Sequence, residues 1–471
     1  MVENQKDSNS LDKPGITVRY YGGKIGAFIP FMIFVIGVVT IALSGAPDEK
    51  GFWPILILAL CLGLILARDR KKFCEAAIEG MSQSIVMIML MAWMLASTIG
   101  LLLSTTGFIE ALTWMASVLN IGGLAFTILT FFICCIVSTS TGSSFGTILI
   151  CTPILYPTGA LLGSHLATLA GAIIGGATFG DSIAPISDTT IAGALSQKAD
   201  IGGTVRSRLK YVIPAASLAT VLYMISGTVG RGYVSEKNLE VTGSPEGLPM
   251  ILVPIVIIAL LLLGRHLLHG LLMGLLTGVI VGLVSGLLPA HRLLTLDLEN
   301  FVAKSFIIEG INRSIGISVF TILLMGLVSC LKASGFVGDI VDKAQKGHQN
   351  IRNVEIKIFL TVSTAVLLTC HSIVAILSVS DFVNGIGNRL GINRYRRANL
   401  LSLTVSTFPF IFPYFIPVIL VANSTNSGSD LGIPSVSPLQ AGLHNFYSWI
   451  VLVMVILAIL FGYGRKKYKD K

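Results

Sequence analysis

Apolar, nearly charge-free runs occupy residues 25–46, 51–67, 81–103, 124–160, 166–195, 211–230, 248–263, 267–288, 314–331, 358–379, 398–422 and 446–461. A spanning helix needs about 20 such residues, with a working range of about 17–25, and most of the runs fit. The run at 124–160 is too long for one span, and its middle reads Ser138-Thr139-Ser140-Thr141-Gly142-Ser143-Ser144. That pattern predicts a re-entrant hairpin with a non-helical tip, a backbone tolerated at membrane depth only when it is buried in protein or lines a cavity. Residues 358–379 and the polar positions after them predict a second hairpin. Two more runs carry poor helix residues: Gly175, Gly176, Gly180 and Pro185 in one, Pro409 and Pro413 in the other. They predict helices broken near their middles. The expected fold is an all-α polytopic membrane protein with broken helices at the bilayer midplane.

Charge orients the spans. With the N-terminus in the cytoplasm, all but six of the 33 Lys and Arg fall on the cytoplasmic side; the exceptions are Lys50, Arg231, Lys237, Arg292, Lys304 and Arg313. This satisfies the positive-inside rule and accounts for the net charge of +9 without nucleic acid. The layout that follows is a cytoplasmic tail at 1–24, a first membrane repeat at 25–246, a second at 247–464 and a cytoplasmic tail at 465–471. Each repeat has about five spans and one re-entrant hairpin, and an odd number of crossings turns the second repeat upside down. The halves also match in pattern. Ile78-Glu79-Gly80, an apolar helix and Ser104-Thr105-Thr106-Gly107-Phe108-Ile109 parallel Ile308-Glu309-Gly310, an apolar helix and Lys332-Ala333-Ser334-Gly335-Phe336-Val337. Inverted repeats are a common plan of secondary transporters, with the site between the repeats.

Composition agrees: 53% of residues are hydrophobic and 12% charged, against about 25% charged in soluble domains. Residues 1–24 hold no apolar segment, so no cleaved signal peptide is expected. The seven cysteines show no metal spacing and read as small core residues. There is no P-loop and no nucleophile elbow. The expectation is therefore a transporter rather than an enzyme, driven by ion gradients, with no cofactor, in the inner membrane.

Asp181 and Asp188 stand in the broken run. Intramembrane carboxylates are costly and mark ion, proton or substrate paths. Carboxylates, hydroxyls and freed carbonyls can replace the water shell of Na+, and a carboxylate removed from water holds a proton more tightly. One group can thus alternate between Na+ and H+. The competing reading is that the aspartates cap the helix halves. The hydroxyls of Ser138, Ser140, Thr141 and Ser143 at the first tip read as ligands, or as small residues that pack helices. The second tip, Thr369-Cys370-His371-Ser372, offers His371 as a ligand or proton relay, against a core histidine. The second broken segment offers Thr404 and Thr407 and no carboxylate. Phe408, Phe410, Phe412 and Phe415 read as packing and Asp381 as a cap; Glu79 and Glu309 read as structural acids at equivalent helix starts, and Glu110, just outside the third span, as structural.

Gly180-Asp181-Ser182, followed by Pro185-Ile186-Ser187-Asp188-Thr189-Thr190, resembles the signature GDKxSPxSDTT of the NhaC family of sodium/proton antiporters. The resemblance implies that Asp181, Ser187, Asp188, Thr189 and Thr190 lie in an ion path, with Na+ and H+ as cargo. The chain departs from the pattern at Ser182, where the family has Lys, and at Ala184, where it has Ser. The expected function is Na+/H+ antiport. The alternative is Na+- or H+-coupled movement of a small organic acid or amino acid, and a passive channel is a rival of another class. The bilayer and a second copy, in a homodimer, are the other partners considered.

Overall fold

The structure, a computed structural model, describes residues 16–43, 49–185, 187–230, 232, 244–263, 265–298, 301–336 and 350–465. Most of both tails, and parts of the loops on which the side assignment rests, lie outside the described residues. Helices α1 (Gly23–Leu43), α2 (Phe52–Leu66), α3 (Arg70–Met81), α4 (Ser84–Thr105) and α5 (Phe108–Val118) come first. A helical hairpin follows, α6 (Gly123–Thr141) and α7 (Ser144–Leu161), then α8 (Leu166–Ile183), α9 (Asp188–Ser196) and α10 (Ile201–Val229). The second half opens with α11 (Leu252–Leu262), α12 (Leu267–Val284), a short antiparallel strand pair β1 (Thr295–Asp297) and β2 (Val302–Lys304), and α13 (Phe306–Ala333). A second hairpin, α14 (Ile351–Thr369) and α15 (Ser372–Arg389), precedes α16 (Arg394–Val405), α17 (Ile416–Ser424), α18 (Pro438–Leu443) and α19 (Phe446–Phe461).

Eight helical segments among the described residues are long and apolar enough to cross a bilayer. Large apolar side chains such as Ile25, Ile36, Leu58, Ile136, Leu276 and Ile280 point outward. That exterior suits hydrocarbon, and the fold is an all-α polytopic membrane protein.

Both hairpins turn at a left-handed residue, Gly142 (φ +66°) and Cys370 (φ +50°). Glycine takes this conformation freely, whereas a residue with a Cβ is strained there. The arms are 19 and 18 residues in each hairpin, about 27–29 Å at 1.5 Å per residue. Each arm is therefore as long as a span. The second hairpin starts before its apolar run does. It includes Glu355, which is fully buried and paired with Arg396.

The expected break at Gly175, Gly176 and Gly180 does not occur: α8 runs through all three and ends at Ile183. The glycines serve contact. A Cβ on Gly176 would lie 2.4 Å from the Phe131 carbonyl oxygen, and one on Gly180 would lie 2.5 Å from Ser138 Cβ. Small residues let α8 lie against α6, as in membrane helix pairs generally. The interruption comes at Ala184–Ser187, next to Pro185, whose missing N–H cannot continue the helix. Two structural acids also sit elsewhere than expected. Glu79 is in the last turns of α3, because the chain bends at Ser82–Gln83 before α4. Asp381 lies inside α15 on an exposed face, so it caps nothing.

Candidate ion and substrate site

Four interruptions converge on one cavity of about 320 Å³. They are the Gly142–Ser143 turn, the Cys370–His371 turn, the α8–α9 break and the segment between α16 and α17. Helix α4 closes one wall with Met89, Ala92 and Trp93, and exposed His266, before α12, stands at the rim. Helices α7, α9, α15 and α17 all begin here, so their free N–H groups and positive dipole ends face the site.

Asp181, in the last turn of α8, is buried at 7% exposure. Ser144, the first residue of α7, lies with its Oγ donating to Asp181 Oδ2 at 3.5 Å. Asp188 opens α9 and is exposed to the cavity, so the expectation of two buried aspartates holds for one of them only. The reason is the break, which turns the start of α9 outward from the packed end of α8. Asp188 thus sits at the N-terminus of its own helix, where negative charge is favoured, whereas Asp181 lies at the C-terminal end of α8 and meets the N-terminus of α7 through Ser144. Ser187 and Thr189 also line the cavity, their hydroxyls 3.0 Å apart. Trp93, Phe145 and Phe410 supply apolar wall, and among the described residues the lining contains no Lys or Arg.

Of the residues singled out in the sequence, Asp181, Asp188, Ser187, Thr189, Ser143 and His371 line this cavity. The Nδ1 atom of His371 is buried without a hydrogen-bond partner. The others lie outside the lining. Ser138 Oγ donates to the Ala177 carbonyl at 2.6 Å and joins α6 to α8. Ser140 is half-buried in the last turn of α6. Thr141 Oγ1 accepts from the Ser143 N–H at 3.4 Å and shapes the turn. Thr404 is buried in α16 with its hydroxyl unpartnered, and Thr407 Oγ1 donates to the Thr404 carbonyl at 2.6 Å. Thr190 Oγ1 accepts from Arg208 Nη1 at 2.9 Å.

Arg208 is the residue the sequence reading missed, counted there only among the charges of the cytoplasmic side. It is fully buried. Its Nη1 also donates to the Ser182 carbonyl at 2.5 Å, and its Nε to Asn399 Oδ1 at 3.0 Å. It therefore holds the end of α8, the start of α9 and α16 together, within electrostatic reach of Asp181. The signal was present: Thr204, Arg208, Val212, Ala215 and Ala219 form one buried stripe on α10 at helical spacing. Phe410, read as packing, lines the cavity.

Broken helices around a carboxylate-bearing cavity, within a bundle of apolar spans, are the build of a secondary transporter. The model of the Na+/H+ antiporter family matches residues 23–228, which include the first hairpin, both aspartates and Arg208. The match supports a secondary transporter and stops within α10. No curated protein matches the chain. Two solved structures align with it at 13% identity. One is MtrF of Neisseria gonorrhoeae, described among a class of antimetabolite efflux pumps; the alignment covers 88% of this chain and 95% of that one, with a TM-score of 0.40. The other is the YdaH transporter of Alcanivorax borkumensis, with 89% and 99% covered and a TM-score of 0.39. At this level of likeness they fix neither architecture nor cargo.

Proposed function

We propose that the protein exchanges Na+ for H+ across the bacterial inner membrane, with Asp181 and Asp188 as the shared site. The observation that carries this is the placement of both carboxylates, with the Ser144, Ser187 and Thr189 hydroxyls, on one cavity whose described lining residues include no Lys or Arg. Na+ takes oxygen ligands and displaces protons from the carboxylates; protons arriving from the other side displace Na+. Ser143 contributes a hydroxyl at the first hairpin turn. In this reading both termini are cytoplasmic, the halves are inverted repeats and the His266 rim faces the cytoplasm.

A second reading rests on the other wall. The cavity of about 320 Å³ is at the lower end of small-molecule pockets, about 300–1,000 Å³. The N-terminus of α15 has no side-chain cap, and His371 Nδ1 is free. A carboxylate of an organic acid or amino acid would fit that pole while the aspartates hold a coupling cation.

Reconstituted protein decides between them. Proteoliposomes given a Na+ gradient and no organic solute should move protons, and Asp188→Asn should reduce the flux at least tenfold. Flux that appears only when an organic acid or amino acid is added would reject simple antiport in favour of the second reading. Full flux in Asp188→Asn would remove Asp188 from the ion site.

A further inference from the structure

Three helices carry a continuous lining from the main cavity into a second, narrower cleft of about 30 Å³. On α4 the face runs Met89, Trp93, Ser97, Gly100; on α7 it runs Phe145, Leu149, Pro153; on α17 it runs Pro417, Leu420, Ser424. These spacings of three and four place each series along one helix face. The early members of each series border the aspartate cavity and the later members border the cleft. Trp93 and Leu149 border both. Trp93 is 2% exposed and is among the largest fully or nearly fully buried side chains of the bundle.

The far end of the cleft is tied shut. Arg313, on α13, lines it, and Arg313 Nη2 donates to both carboxylate oxygens of Asp430 at 3.0 and 2.9 Å and to Glu309 Oε1 at 3.0 Å. Asp430 belongs to the turn of 3-10 helix Thr425–Leu431 that follows α17. The molecule is therefore open at His266, blocked at Trp93 and Leu149, and tied at Arg313.

We propose that the cavity and the cleft are two segments of one translocation path, and that the Trp93 indole, packed at the level of Leu149, is the residue that separates the aspartates from the Arg313 face. Movement of α4 against α7 would shift that indole and join the two segments. The close contact of these helices lies one to two turns further on, where a Cβ on Gly100 would approach Pro153 Cβ to 2.9 Å. That contact gives a pivot with little bulk. The proposal rests on the transporter reading but not on which ion is carried.

The test uses a thiol already in the cavity wall. Cys370 lines the cavity, and Cys61 and Cys74 are the two exposed cysteines. In a Cys61→Ser, Cys74→Ser background, a membrane-impermeant maleimide is applied to one or the other face of oriented vesicles. A second reporter, Ser143→Cys, is treated in the same way, and each variant is checked for monodispersity by size exclusion. Reagent on the His266 face should label either reporter, and reagent on the Arg313 face should label neither. Trp93→Ala should admit label from both faces, and Trp93→Phe should restore one-sided labelling. Labelling of the background from the Arg313 face, single-sided labelling that persists in Trp93→Ala, or no labelling of either reporter from the His266 face would each overturn the proposal. Thiol labelling needs no Na+ or H+ flux, so these results stand apart from the success or failure of Na+/H+ exchange.

Discussion

Arg208 joins three chain segments through one side chain. Its acceptors are the Ser182 carbonyl at the end of α8, the Thr190 hydroxyl on α9 and the Asn399 amide on α16. The guanidinium fork makes this possible, whereas a lysine ammonium on a shorter reach cannot satisfy the same three directions. Hydrogen bonds to charged groups contribute about 1.5–3 kcal/mol each, so Arg208→Lys should cost roughly that much. The expected outcome is a lower unfolding midpoint in detergent and weaker transport, and an unchanged midpoint would show that the three bonds do not hold the break. At this scale the sequence exposed the carboxylates and hid their surroundings. Asp181 and Asp188 stand out because charge is rare in apolar runs. Arg208 sits between Arg206 and Lys210 in a basic cluster, where only its four-residue spacing from Thr204 and Val212 separates it from its neighbours. The same limit applies to hydroxyls: Ser138 and Ser143 look alike in sequence, yet one joins two helices and the other faces the cavity.

Helix ends and helix contacts decide the next scale. The first hairpin tip was legible because a polar cluster in the middle of an over-long apolar run has no other place; the second was read from the polar positions around a run of ordinary length, and its first arm begins before that run. The α8 glycines were misread because glycine both interrupts helices and permits close helix contact, and sequence alone does not say which. Pro185 carried the reliable signal, since a missing N–H has one consequence. The start of α8 carries a different dependence. His165 is its N-cap: Nδ1 accepts from the Thr168 N–H at 3.4 Å, and its ring lies 5.6 Å from that of His444. Burial, then the nearby His444, lowers the His165 pKa below its ordinary value. The neutral ring is thus the folded form, and only an unprotonated Nδ1 can accept the capping bond. Below about pH 6.5 the unfolded chain takes up a proton that folded His165 resists, so stability falls as the pH is lowered through that window. Thermal midpoints measured from pH 7.5 to 5 should decline in the wild type. They should decline less in His165→Asn, which keeps a capping acceptor without the titration, and equal slopes would place the pH dependence elsewhere.

Across the whole molecule, hydropathy was enough for the membrane class and the order of the apolar helices, since the bilayer imposes long apolar runs, whereas the short helices α3, α5 and α18 carried no such signal. Long-range pairing was not legible, because a buried ion pair links positions far apart in the chain. Glu355 shows this. It is fully buried on α14 and receives Arg396 Nε at 3.0 Å, Arg396 Nη2 at 3.2 Å and Arg465 Nη2 at 2.6 Å. Arg396 also donates to the Tyr211 hydroxyl at 2.7 Å and to the carbonyls of Tyr463 and Ala458 at 3.1 and 3.0 Å. One carboxylate thus fixes α14, α16, the end of α19 and α10 at one end of the bundle, while the other end of α14 carries the Cys370–His371 turn to the cavity. Removing one partner of such a cluster leaves buried charge uncompensated, which costs about 3–5 kcal/mol. Glu355→Gln should therefore lower the unfolding midpoint strongly in detergent titrations. The double variant Glu355→Met, Arg396→Met should recover part of the loss, because apolar groups of similar size tolerate the dry site that lone arginines do not. If Glu355→Gln unfolds like the wild type, the cluster does not anchor the second hairpin. If the double variant is no better than the single one, its worth lies in the hydrogen bonds Arg396 makes to Tyr211, Tyr463 and Ala458 rather than in its charge.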